Sequence, residues 1–298
     1  MASSGLTSGE IYAPEFKDQP YWWEAAPPPD ATLPQLPDKV DVAVIGGGFC
    51  GLNAALELRR QGLAVMVLEA ERFGFGASSR NGGFVSGSLR QGEADYAERY
   101  GAEKAAALVE EAARALPFVE DLLQRESIQC DYRRTGRFVG AHWPGAYRSL
   151  EARVARIKQV TGLDARMLPR ERQREEIGTD IYHGGMVAEG TGSLHPAKFH
   201  QGLAAAARRA GAQLVDGTRV AAIARKGSNG SMRFDVVTAR GVVGAREVLL
   251  ATNGYTTRAT PWLKRRIIPF GSYIIATEPL DPALVKRLVP NGRMLSDT

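Results

Sequence analysis

The most constraining feature of the chain is a glycine turn, Gly46-Gly-Gly-Phe-Cys-Gly51, between two segments of different character. Before it, Asp41-Val-Ala-Val-Ile45 is a short β-branched run that predicts a strand. After it, Leu52, Ala55, Leu56, Leu58 and Arg59 recur at helical spacing until Gly62 stops the helix. Ala64-Val-Met-Val-Leu68 predicts a second strand, with Glu69 at its end. Strand, turn, helix and strand make a βαβ unit, parallel and right-handed. In that setting the glycines match G-x-G-x-x-G. Gly46 permits the tight turn, Gly48 lets backbone approach a pyrophosphate, and Gly51 lets helix and strand pack closely. The helix N-terminus offers N–H groups to phosphates, and Glu69 offers a carboxylate to ribose hydroxyls. The unit alone does not choose between NAD and FAD, and a structural glycine turn with a solvated glutamate is the bland alternative.

Composition narrows the class. A chain of 298 residues fits two domains or one large α/β unit. With 44% hydrophobic and 24% charged residues it is not a disordered chain. Its two cysteines cannot staple a domain of this size. The net charge of +5 is spread among acids, and the clusters Arg133, Arg134, Arg137 and Lys264, Arg265, Arg266 read as solvated faces, so no nucleic-acid partner is implied. Met1 to Glu10 lacks the basic and apolar regions of a secretory signal, and no apolar run approaches the ~20 residues of a membrane helix. The chain reads as soluble, intracellular and cytoplasmic.

Residues 11–38 read as an arm rich in aromatics and proline, with Tyr12, Tyr21, Trp22 and Trp23 followed by five prolines; the tryptophans are expected to anchor it on the body. Residues 72–90 read as a loop. Helical spacing runs from 103 to 125, with Pro117 kinking the helix or starting a second one. A strand is expected at 135–142 and a helix around Leu150, Val154 and Ile157. Pro196 opens a helix with Phe199, Leu203, Ala206 and Ala210 on one face, and Gly211 closes it. Strands follow at 213–215, 219–224, 232–238 and 242–251, with a hairpin-like turn at 226–231. A further strand is expected from Ser272 to Thr277.

A second glycine-rich segment, Gly74-Phe-Gly-Ala-Ser-Ser-Arg-Asn-Gly-Gly83, follows Glu69 closely and can bring bare backbone against another part of a dinucleotide. With it the sequence resembles the FAD-dependent D-amino-acid oxidase-like (DAO) oxidoreductases, especially the γ-glutamylputrescine oxidase and glycine- and sarcosine-oxidase types. The resemblance rests on Tyr21-Trp22, the first glycine turn, Glu69, Gly76-Ala-Ser-Ser-Arg-Asn-Gly-Gly83, Gly192-Ser-Leu-His-Pro-Ala197 and Val248-Leu-Leu-Ala-Thr-Asn-Gly-Tyr255. It runs through nearly the whole chain in order. Ser79 departs from the glycine that similar proteins often have.

The resemblance implies a Rossmann-like FAD-binding domain of glutathione-reductase type, with an interleaved α+β substrate domain. The expected division is an arm at 1–38, an FAD-binding domain from 39–95 and 190–260, and a substrate domain from 96–189 and 261–298. The family continues past the segment matching Ser272 to Thr298, so a chain lacking its C-terminal part is expected. The resemblance places the FAD diphosphate on Gly46, Gly48 and Gly51, and the adenosine ribose on Glu69. It lays Ser78, Arg80, Asn81, Gly82 and Gly83 along the diphosphate, ribityl chain and flavin. Val220 would hold adenine through its backbone, or be only a core strand residue, and Arg80 would otherwise be a surface arginine. Ala251, Thr252 and Gly254 would pack near the cofactor. The implied reaction is oxidation of a C–N bond in a small-molecule amine or amino acid; the alternatives are another flavin or nicotinamide oxidoreductase on the same fold, or a truncated flavin-binding remnant without catalysis. A hydride passes to flavin N5, the imine hydrolyses, and oxygen is reduced to hydrogen peroxide. No metal is implied, since His195 and His200 do not make a metal pair. His195 is a substrate-side candidate or a helix cap, and Tyr273 a pocket-wall candidate or an ordinary strand aromatic. Cys50 is expected to be a small buried filler.

Overall fold

Val42, Val44, Val65 and Val67 face one way and Ala43, Ile45, Met66 and Leu68 the other, all buried, in the strands β1 (Lys39–Ile45) and β2 (Val65–Leu68). Strands covered on both faces read as near-continuous apolar runs, which is why this pair is conspicuous in the sequence. Between them α1 (Phe49–Arg60) buries Leu52, Ala55 and Leu56, and the two strands pair in parallel. The computed structural model describes residues 17–31, 33–87, 93–161, 164–226 and 233–298. Tyr12, the segment Met1 to Glu10 and most of the expected turn at 226–231 lie outside the described residues.

After β2 the chain forms a short 3-10 turn at Ala77–Ser79 and β3 (Phe84–Ser86), both within the expected loop. The helices α2 (Glu93–Tyr100), α3 (Ala102–Ala113) and α4 (Ala115–Arg125) follow. Pro117 lies in the first turn of α4, where its missing N–H leaves no helical bond unmade, so it starts a second helix rather than kinking one. Next come β4 (Arg137–Gly140), α5 (Pro144–Thr161), β5 (Ala165–Leu168), β6 (Gly185–Ala188) and β7 (Thr191–Ser193). Then α6 (Pro196–Arg209), β8 (Gln213–Val215), β9 (Val220–Arg225), β10 (Phe234–Thr238) and β11 (Gly241–Leu250) match the expected helix and four strands closely. The chain ends in α7 (Pro261–Lys264), α8 (Pro282–Leu288) and β12 (Met294–Asp297).

The larger sheet has six strands in the order β8-β2-β1-β11-β10-β9. Its first four strands run parallel, and β10 and β9 extend it antiparallel from β11. The faces of α1 and α6 pack together against one side, with Leu52, Leu56, Leu203, Ala206 and Ala207 in one core with Val42 and Val44. A second sheet, β12-β4-β6-β5, carries its own core of Val139, Leu150, Met186 and neighbours beneath α5.

The arm is anchored as its tryptophans suggest: Trp22 Nε1 donates to the Asn81 carbonyl at 2.8 Å, and Gln201 Nε2 donates to the Ala26 carbonyl at 2.8 Å. The expected strand at Ser272–Thr277 does not form. Its residues pair with no described strand, and Phe270, Tyr273 and Ile275 are each more than nine-tenths exposed. β-type residues make a strand only where a neighbour supplies the other half of the hydrogen-bond ladder. Arg137 also departs from the solvated face assigned to it, since burial lowers its pKa and its Nε donates to Ser296 Oγ at 2.8 Å, tying β4 to β12.

Candidate functional site

The parallel strands β2, β1 and β11 end together, and backbone bonds lock the ends. Gly46 N–H donates to the Leu68 carbonyl at 2.9 Å, and Ala251 N–H donates to the Ile45 carbonyl at 2.8 Å. A cavity of about 250 Å³ opens at these carboxyl ends. This is the place where open α/β sheets bind ligands.

Gly46 is at φ +107°, and a Cβ there would lie 2.6 Å from the Ala251 carbonyl oxygen. On Gly51 it would lie 2.0 Å from the Gly46 carbonyl oxygen, so only glycine lets α1 start this close to the turn. Gly48 caps α1 without a side chain, and the first turn carries no acidic residue. Ser78 Oγ, from the second glycine segment, accepts the Phe49 N–H at 3.0 Å. The site therefore presents a helix N-terminus with positive partial charge, faced by bare backbone and one hydroxyl. Glu69 closes it: Oε2 accepts the Gly47 N–H at 2.8 Å and Oε1 the Glu71 N–H at 3.1 Å. A carboxylate has further lone-pair sites after two such bonds.

Of the residues expected at the site, the cavity brings together Gly46, Gly48, Glu69, Ser78, Val220, Ala251 and Thr252. Gly51 lies behind the turn. Arg80, Asn81, Gly82, Gly83 and Gly254 are not part of the cavity wall. Arg80 Nε donates to the Phe75 carbonyl at 2.8 Å and its guanidinium lies 4.5 Å from the Phe75 ring centroid, so it is not a free surface arginine. Asn81 and Gly83 shape the loop, with Asn81 Oδ1 accepting the Gly83 N–H at 2.9 Å.

His195 caps α6, its Nδ1 accepting the Lys198 N–H at 3.3 Å, and its ring packs edge-on to Trp22 at 4.8 Å. Burial holds its pKa below the ordinary histidine value. It lines no part of the cavity, and neither does Tyr273, which is exposed on the irregular segment after Pro269. Cys50 is exposed rather than buried, because the second position of α1 faces outward; Cys130 is the buried thiol, and burial pushes its pKa up to about 11.

The sequence reading missed Gly47, Glu71, Phe75, Arg219, Tyr255, Thr257 and Thr260 on the cavity wall. Arg219 and Glu71 form an ion pair at its rim. Their proximity joins a residue after β2 to one before β9, and no local signal announces it.

The donor set fits a dinucleotide: a side-chain-free cradle at a helix N-terminus for the diphosphate, a carboxylate at the end of β2, and apolar Val220 and Ile223 beyond it. Comparison with known proteins agrees. Residues 41–297 match the sequence profile of the family described as FAD dependent oxidoreductase, DAO. The chain is 33% identical over 264 residues to the probable oxidoreductase OrdL of Haemophilus influenzae, covering 87% of this chain and 60% of the relative. It is 32% identical over 259 residues to the γ-glutamylputrescine oxidoreductase of Escherichia coli, covering 86% and 59%. The chain thus spans about 60% of the length of these relatives. Among solved structures, glycine oxidase from Geobacillus kaustophilus has a TM-score of 0.62 at 23% identity, over 76% of this chain and 59% of that one. L-proline dehydrogenase from P. horikoshii has a TM-score of 0.61 at 21% identity, over 74% and 54%. These two share the fold.

Proposed function

The chain belongs to the DAO family of FAD-dependent oxidoreductases, and we propose that the protein it represents oxidises the C–N bond of a small amine or amino acid of the γ-glutamylputrescine class. The products are a carbonyl compound and an amine after hydrolysis, with oxygen reduced to hydrogen peroxide. The observation that carries the reading is the side-chain-free cradle at the ends of β1, β2 and β11, in a chain matched to the family from residue 41 to 297.

FAD, when bound, supplies the oxidant, accepting a hydride from the carbon beside the amine nitrogen. The chain's own residues hold and orient it. Gly46, Gly48 and the start of α1 take the diphosphate, and Gly51 keeps α1 close enough to do so. Glu69 takes the adenosine ribose, and Val220 borders the adenine. Ser78, on the cavity wall beside the start of α1, would face the diphosphate, and Arg80, Asn81, Gly82 and Gly83 would lie farther along toward the ribityl chain and flavin. Ala251 and Thr252, in the turn after β11, would border the cofactor, with Gly254 following outside the cavity wall.

The division into domains is part of the same proposal. Residues 39–95 with 190–260 contain every strand of the six-stranded sheet, and 96–189 with 261–298 contain every strand of the four-stranded one, which supports the expected boundaries. No helix among the described residues is long and apolar enough to cross a membrane. A cytoplasmic location accords with Cys50 and Cys130, both free thiols.

The test is purification followed by a substrate screen. A yellow protein that forms peroxide with γ-glutamylputrescine is expected. A colourless protein that binds NADH instead would sink the assignment. Glu69→Ala is expected to weaken FAD binding by ~1.5–3 kcal/mol, measured by flavin titration; unchanged affinity removes Glu69 from the site.

A further inference from the structure

We infer that His200 is a positioning residue for the first glycine turn: it anchors the Gly47 carbonyl so that the next backbone N–H faces the bound diphosphate. The inference rests on the reading that FAD occupies the cavity.

His200 is buried on α6, far in sequence from the turn, and its Nε2 lies 2.7 Å from the Gly47 carbonyl oxygen. A carbonyl oxygen only accepts, so Nε2 carries the proton and donates. Burial lowers the His200 pKa, so the ring is neutral and Nδ1 holds the lone pair. The tautomer is thereby fixed by the Gly47 contact.

The consequence follows from peptide geometry. All peptide bonds among the described residues are trans, and in a trans peptide C=O and N–H point in opposite directions. Anchoring the Gly47 carbonyl on α6 turns the Gly48 N–H away from α6. Gly48 caps α1 and borders the cavity. The Gly47 N–H is already held by Glu69 Oε2 at 2.8 Å. Glu69 and His200 thus hold the two ends of Gly47 and leave the Gly48 N–H for the ligand. A peptide between two glycines flips readily without such restraint, and a flipped one would present carbonyl oxygen to a phosphate.

The surroundings are built for this ring. Phe49 and Phe73 lie 6.2 and 6.5 Å away, centroid to centroid. A Cβ on Gly74 would come within 3.0 Å of His200 Nδ1, so the second segment approaches His200 through a glycine.

The experiment compares the native chain with His200→Leu, His200→Gln and His200→Asn. FAD and ADP affinities are measured by titration, and thermal midpoints without ligand. His200→Leu is expected to lose about tenfold or more in affinity for both FAD and ADP, because the diphosphate is common to both. His200→Gln keeps an N–H donor at similar reach and is expected to stay within about threefold of native. His200→Asn, one carbon short, is expected to follow Leu. Native-like FAD affinity in the Leu variant overturns the inference, whatever its thermal midpoint. So does a loss confined to FAD and absent with ADP. Should the Leu variant not fold, the Gln and Asn pair decides, and equal affinities in that pair overturn it. A native chain that binds no FAD overturns the cavity reading first, and the inference with it.

Discussion

The two glycine-rich segments around the cavity hold their shapes by different means. In the first, main chain sets the limit at two positions: a Cβ on Gly46 would meet the Ala251 carbonyl oxygen at 2.6 Å, and one on Gly51 the Gly46 carbonyl oxygen at 2.0 Å. Neither neighbour moves without moving the turn or the end of β11. In the second, a Cβ on Gly76 would lie 3.2 Å from the ring of Tyr255, a tight approach to a side chain, and one on Gly82 3.5 Å from that of Phe84, which is ordinary contact. Side chains give that segment its form. Asn81 Nδ2 donates to the Ala77 and Ser78 carbonyls at 3.0 Å each, and Arg80 clasps Phe75. Gly74 and Gly83 are exceptions, Gly74 at φ +89° and Gly83 at φ +72° with the Leu194 carbonyl oxygen 2.2 Å from its Cβ position. At Gly46 and Gly51 main chain excludes a side chain, while the Gly47 peptide between them is held by Glu69 and His200. Where hydrogen bonds shape the loop, as at Gly82, a methyl group fits and the form depends on Asn81 and Arg80.

Four substitutions test that contrast. The largest effect is expected from Gly51→Ala, which should destabilise the fold by about 3 kcal/mol or more in urea unfolding, since its Cβ meets backbone. Native stability in that variant would break the account of exclusion. Gly48→Val should spare the fold more, because the nearest atom to its Cβ is the Ser78 hydroxyl, at 2.9 Å, which can rotate away. Its side chain would enter the diphosphate path, so FAD affinity should fall by about a hundredfold or more in a flavin titration. Normal flavin content would remove the motif from the site. Asn81→Ala should cost ~1–2 kcal/mol of stability through its lost loop bonds. A silent Asn81→Ala would mean that the second segment is also shaped by exclusion. Gly82→Ala should be the mildest, within about 0.5 kcal/mol of native in the same unfolding assay.

The first sheet was legible because its signals are local. β1, the glycine turn and α1 follow one another directly, and α6 announces both ends, with Pro196 at the start and Gly211 at φ +91° after the end. The second sheet was legible only at β4. β5, β6 and β12 are no shorter than β4, but no turn motif or helix signal frames them as strands, and β12 pairs with β4 from the far end of the sequence. Conversely, Ser272–Thr277 has strand composition but no neighbour. The site divides the same way. Gly46, Gly48 and Glu69 belong to one motif and were found together, whereas Arg219, Thr257 and His200 reach the turn only through tertiary packing. Nothing in the sequence neighbourhood of His200 points to Gly47.

The arm adds a matter of timing. Trp22 is bonded to a residue 59 positions later, and Ala26 to one 175 positions later. During synthesis both partners emerge long after the arm does, and Gln201 is in place only once α6 has formed. Long-range contacts of this kind form late, after the local ones have been made. The arm is then a late stitch of the fold: translated early, and tied to α6 only after residue 201 has been made.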